Sequence, residues 1–142
     1  MKIQFAFALN KEGVFENKHF GEADNYAIST YNEHAIILTE IIPNPFKSMN
    51  GRHEHGLKEK GTAIISLLKE KNVKVLVSKQ FGANIKMVNR HFIPVIISKE
   101  NPSQVSEILA KNIKWLKDEL NNRKSNYMLF KINTGILKLE VK

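Results

Sequence analysis

The N-terminal segment constrains the fold more than any other part of the chain. After Lys2, the run Ile3-Gln4-Phe5-Ala6-Phe7-Ala8-Leu9 is apolar at almost every position. A strand of that kind has to be covered on both faces, so it belongs at the centre of a sheet with helices on either side. Met1–Leu9 is read as this central strand. It runs into Asn10-Lys11-Glu12-Gly13 without a small-residue cleavage site, which argues against a signal peptide.

The rest of the chain supplies the partners. Asn10–Asn25 is polar and reads as a loop. Tyr26–Tyr31 and His34–Ile42 are β-rich and are separated by Asn32-Glu33, a two-residue hairpin signal, while Pro43-Asn44-Pro45 ends the second strand. Phe46–Gly56 reads as a long polar loop, of a length that is more often functional or mobile than merely connecting. Leu57, Ile64, Ile65, Leu67 and Leu68 mark one face of a helix that closes at Lys69-Glu70-Lys71-Asn72. Val73–Ser78 predicts a strand, Gly82–Phe92 a short helix and Ile93–Ser98 another strand. Asn101-Pro102 is an N-cap followed by proline at the first helical position. The helix it opens extends to about Asn121 on a stripe of Val105, Ile108, Leu109, Ile113, Trp115, Leu116 and Leu120. Tyr127–Ile132 and Ile136–Val141, joined through Asn133-Thr134-Gly135, predict a C-terminal hairpin.

The order β-ββ-α-β-α-β-α-ββ implies a single α/β domain over residues 1–142. It is the order of ribonuclease H-like three-layer domains. The expectation is a mixed five-stranded sheet, with a C-terminal helix and β-hairpin as an extension.

Charge and composition narrow the function. The chain carries a formal net charge of +8, but residues 1–50 hold four Lys against six acidic residues, so the excess lies in the remainder. Such a surface favours anionic partners, or serves only solubility. No cysteine is present, which removes disulfides and thiolate ligands and suits a reducing, cytoplasmic setting. No apolar run approaches membrane-spanning length, so no membrane partner is expected. A two-metal nuclease needs carboxylates on central strands, and neither Met1–Leu9 nor Val73–Ser78 has one. No nucleophile triad, P-loop or dinucleotide fingerprint appears, and the chain is expected not to be an enzyme. Nor does an aromatic platform accompany the basic residues, so nucleic acid is not an expected partner.

The histidines point to a metal site. His19 precedes Phe20-Gly21, where a glycine permits close backbone approach; the alternative is a surface histidine making local hydrogen bonds. His53-x-His55-Gly56 places two imidazoles where both can turn to one ion, or where both are simply solvated. Gly56 and the following helix start offer N–H groups to an anion. Arg52 flanks the pair and can neutralise a bound cluster or face water. Gly82 opens a helix after a strand, as in an anion cradle or a tight packing turn. His34 reads as solvated and His91 as a helix-end residue.

Four groups of residues together resemble the dinitrogenase iron–molybdenum cofactor biosynthesis family, of NifX/NafY type and orange-protein-like. They are His19-Phe20-Gly21-Glu22-Ala23 followed by the strand at Tyr26; Asn44-Pro45; His53-x-His55-Gly56 leading to Leu67-Leu68; and Val73-x-Val75-Leu76-Val77 with Gly82 and the strand near Ile93-Pro94-Val95. The resemblance covers roughly residues 1–115 and leaves 116–142 as an extension. Gln80-Phe81-Gly82-Ala83-Asn84 departs from the glycine-richer turn usual in the family.

The resemblance implies a non-enzymatic carrier of a metal–sulfur cluster containing iron, molybdenum or copper. The metal ligands would be His19, His53 and His55, with Gly21, Arg52, Gly56 and Gly82 contributing to the cluster site. A carrier of this kind implies a cluster donor or acceptor protein as partner and is compatible with a homo-oligomer. The competing expectation is an interaction or regulatory module on the same fold, without a cluster.

Overall fold

The computed structural model describes residues 2–48, 54–133 and 135–141, with backbone only for 54–57. The strands are β1 (Ile3–Leu9), β2 (Asn25–Asn32), β3 (Ala35–Pro43), β4 (Val75–Ser78), β5 (Ile93–Ile96), β6 (Leu129–Ile132) and β7 (Ile136–Leu139). The helices are α1 (Glu54–Glu70), α2 (Ile85–Val88), α3 (Pro102–Lys111) and α4 (Ile113–Asn122). One sheet runs in the order β3-β2-β1-β4-β5-β6-β7. β1, β4, β5 and β6 are mutually parallel, and β2, β3 and β7 pair antiparallel.

β1 shows why the N-terminal pattern demands a central position. Ile3, Phe5, Phe7 and Leu9 pack on one face with Val105 and Leu109 of α3 and Ile113 and Leu116 of α4. Ala6 and Ala8 face the other way, toward Ile64, Ile65 and Leu68 of α1 and Val88 of α2. Large side chains on one face and alanines on the other let α1 approach the sheet closely. No helix among the described residues is long and apolar enough to cross a membrane.

Several expectations are corrected. The sheet has seven strands and not five: the C-terminal hairpin is no appendage, because β6 pairs parallel with β5 and continues the sheet. Burial drives this, since Phe130 and Ile132 are both fully buried in the α3/α4-side core. Glu119 of α4 anchors the strand start, accepting the Met128 N–H at 2.7 Å and pairing with Arg123 Nε at 3.0 Å and Lys138 Nζ at 2.8 Å. The Lys138 ammonium contacts Glu119 Oε1 as an ion pair without hydrogen-bond alignment.

The third long helix breaks at Asn112, whose φ of −110° and ψ of 22° leave the helical region. Its apolar stripe continues across the break, which is why periodicity does not reveal it. Trp115, assigned to the stripe, is 46% exposed. The β2–β3 turn is Glu33-His34 instead of Asn32-Glu33, because Asn32 pairs with Ala35 and Glu33 takes the positive φ. The N-cap at Asn101 is as expected, and Gln104 completes a reciprocal capping box.

Candidate functional site

Asn44, which follows β3, is buried and donates from Nδ2 to Gly21 O at 3.0 Å and Ala23 O at 2.9 Å, with the Tyr26 hydroxyl at 3.3 Å. Its Oδ1 accepts the Phe46 N–H at 2.9 Å. These bonds fix the short 3₁₀ turn Phe20–Glu22 that carries His19 at its start. Phe20 stacks between Tyr26, with ring centroids 4.8 Å apart, and Phe81, at 5.5 Å. The Tyr26 hydroxyl donates to Phe20 O at 3.0 Å. Burial, with the Glu22 charge secondary, holds that phenol protonated far beyond its ordinary range, so it remains a donor.

The turn after β4 meets this first turn. Phe20 N donates to Gln80 O at 2.9 Å, tying the two together. Gly82 has φ +68°, and a Cβ there would lie 2.5 Å from His19 Nδ1. The His19 imidazole thus lies against the Gly82 backbone, in space that only glycine leaves open. Gly21 faces α1, where a Cβ would meet Ile64 Cδ1 at 3.4 Å.

Between the two turns, α1 and α2 lies a largely apolar cavity of about 130 Å³. His19, Glu22 and Lys60 supply polar groups to its lining, and Ile64, Phe81 and Met87 are among its apolar ones. Lys60 is buried, with its ammonium 2.9 Å from Glu22 Oε1 and 3.3 Å from Lys47 O. Lys47 in turn pairs with Asp24, which also accepts the Lys11 N–H. The hydrogen bond from Lys47 holds the Asp24 carboxyl below its usual value of 3.8, and Asp24 raises Lys47 reciprocally. The wall of the cavity is therefore charged but internally compensated.

His19 and Gly21 line this cavity, and Gly82 lies behind them against the His19 imidazole. His55 and Gly56, expected in a loop, instead lie in the first turn of α1, which starts at Glu54 before the apolar stripe begins. Arg52 and His53 lie outside the described residues. His34 is exposed at the β2–β3 turn, and His91 lies in the turn after α2; neither joins the cavity. Among the described residues no three His, Asp or Glu side chains converge as a metal site.

Four contributors carry no sequence signal as ligands. Asn44 and Phe81 support the turns, and Lys60 sits in the wall. Gly61 of α1 leaves room for Met87 Sδ, which would lie 2.9 Å from a Cβ there. A glycine inside an amphipathic helix is the one hint that could have marked α1 as approached closely at that point.

A family model described as dinitrogenase iron-molybdenum cofactor matches residues 1–114. No curated protein and no solved structure matches the chain. The matched span holds the central strand, both turns around His19, all of α1 and the cavity between them, and on that match the chain belongs to the dinitrogenase iron–molybdenum cofactor family.

Proposed function

We propose that the protein is a non-enzymatic carrier of a metal–sulfur cluster, working in the cytoplasm between a cluster donor and an acceptor protein. The observation that carries the reading is the placement of His19 against Gly82 at the mouth of the cavity, inside the family-matched span. The strand order β3-β2-β1-β4-β5 supports a ribonuclease H-like core beneath it.

The cargo brings its own sulfides, so the protein need supply only a few donors. Imidazole suits iron and copper while binding less tightly than thiolate, which fits a carrier that must also release. His53 and His55 are the other donors in this reading, with Arg52 offsetting the cluster's negative charge and Gly56 offering backbone N–H groups. A cavity of about 130 Å³ is of the size that encloses a benzene-sized ligand. A multinuclear cluster would therefore rest over the opening beside His19, with the apolar interior excluding water beneath it.

The test separates ligation from positioning. His19→Ala and Gly82→Ala are each reconstituted anaerobically with iron and sulfide, alone and combined. Both single variants should bind less cluster. The double variant should bind no less than His19→Ala, because Gly82 acts through the imidazole. Undiminished binding by His19→Ala would remove His19 from the site.

A second reading, an interaction module without a cluster, is favoured by the edge strand β3, where Ile37, Leu38 and Ile41 are each more than half exposed. A partner or self-association lost on Ile37→Lys/Ile41→Lys but indifferent to the histidine changes would support it.

A further inference from the structure

We propose that an open cleft on the far side of α2 binds a tetrahedral oxyanion through Lys86, Arg90 and Arg123. This is separate from the cavity beside His19 and does not depend on the cluster reading. The oxyanion is either free, as phosphate or molybdate, or the terminal group of a small phosphomonoester.

α2 divides the two spaces. Met87 and Val88 line the apolar cavity, whereas Lys86, Asn89 and Arg90 line the cleft, which has a volume of about 350 Å³. Lys86 and Arg90 stand about one helical turn apart, and like charges so placed repel each other. Neither has an ion pair or side-chain hydrogen bond among the described residues. Their spacing gives nothing to the fold and suits a bound anion.

The opposite wall comes from the chain beyond the family match. Arg123 follows α4 and is held by its Nε bond to Glu119 at 3.0 Å, which leaves its terminal guanidinium N–H groups for a ligand. Guanidinium donors of that kind suit a tetrahedral oxyanion. The two walls are joined rigidly: Asn89 Nδ2 donates to Tyr127 O at 2.9 Å, and Tyr127 N donates to Asn89 O at 2.8 Å. Three cations therefore line one cleft whose walls are already joined. Glu140 is the one acid in the lining. It leaves the cleft with a net positive charge and limits affinity in a way that can be tested.

The experiment is an amide NMR titration of the full chain in chloride buffer with inorganic phosphate, molybdate and glycerol phosphate as separate probes. Saturable shifts should concentrate at residues 86–90 and 123–128. Lys86→Gln/Arg90→Gln, both at exposed positions, should weaken binding by about tenfold or more. Glu140→Gln should tighten it, which a merely structural role for these residues would not produce. Lys131→Gln, on the exposed side of β6 away from the cleft, should leave it unchanged. Tighter binding of the inorganic anions identifies a free oxyanion as the ligand, and tighter binding of glycerol phosphate identifies a phosphorylated small molecule. Absence of saturable shifts with all three probes would overturn the proposal. So would shifts that survive the double substitution.

Discussion

Asn44 offers the sharpest test of how the site is held. Asn44→Ala removes two bonds to the carbonyls of Gly21 and Ala23 and one from the Phe46 N–H, all at 3.0 Å or less. Each is worth about 1 kcal/mol net, so the loss should be about 3 kcal/mol. The weaker 3.3 Å contact to Tyr26 adds little, since that hydroxyl keeps its bond to Phe20 O. Against a domain stability of about 5–15 kcal/mol this is a large fraction. For a chain of this size it should lower Tm by roughly 10 °C. Urea denaturation should show a lower midpoint with an unchanged slope. Asn44→Asp keeps the acceptor for Phe46 but turns a carboxylate toward two carbonyls, and should be no more stable than the alanine variant at neutral pH. It should recover part of the loss in acid as the carboxyl protonates. A loss below about 1 kcal/mol for Asn44→Ala would refute the claim that this side chain fixes the His19 turn.

Other perturbations have equally definite outcomes. Glu119→Ala should cost about 2–3 kcal/mol, less than a fully buried pair because Arg123 and Lys138 can rehydrate, and hydrogen exchange should quicken in β6 and β7 first. Gly82→Ala should cost about 1–2 kcal/mol from its positive φ alone, read by thermal denaturation, whether or not His19 is present. His91 is held below its ordinary 6.5 by desolvation first, then by Lys69 and Arg90. The folded state thus binds fewer protons than the unfolded one, so this contribution is complete above pH 6.5 and falls as pH drops below it. Ring NMR should give the depressed value, and Arg90→Gln should raise it.

What the sequence discloses depends on whether the signal is local. β1 was legible because burial on both faces leaves a run that is apolar at every position but Gln4. The α3 start was legible because Asn101, Pro102 and Gln104 make a complete cap. The α3–α4 break was not, since Asn112 interrupts the backbone without interrupting the apolar stripe. Nor was the place of the hairpin: β6 joins β5 through burial of Phe130 and Ile132, and a terminal hairpin pattern looks alike beside a sheet or apart from one. Within the site, His19 and Gly82 were each visible as residues, but not their contact, which depends on two turns 60 residues apart meeting through Phe20 N and Gln80 O. Asn44 was visible as part of a motif, and only the fold gives its reason.

We propose metal–sulfur cluster binding by His19, His53 and His55. It is tested most directly by titrating the metal-free protein anaerobically with iron–sulfide and with thiomolybdate–copper mixtures. Visible absorption and bound metal are compared for the wild type and a His19→Ala/His53→Ala/His55→Ala triple variant. Histidine ligation predicts a stoichiometric chromophore with one of these mixtures in the wild type and its loss in the triple variant. A chromophore of equal strength in both proteins, or none in either, would contradict it.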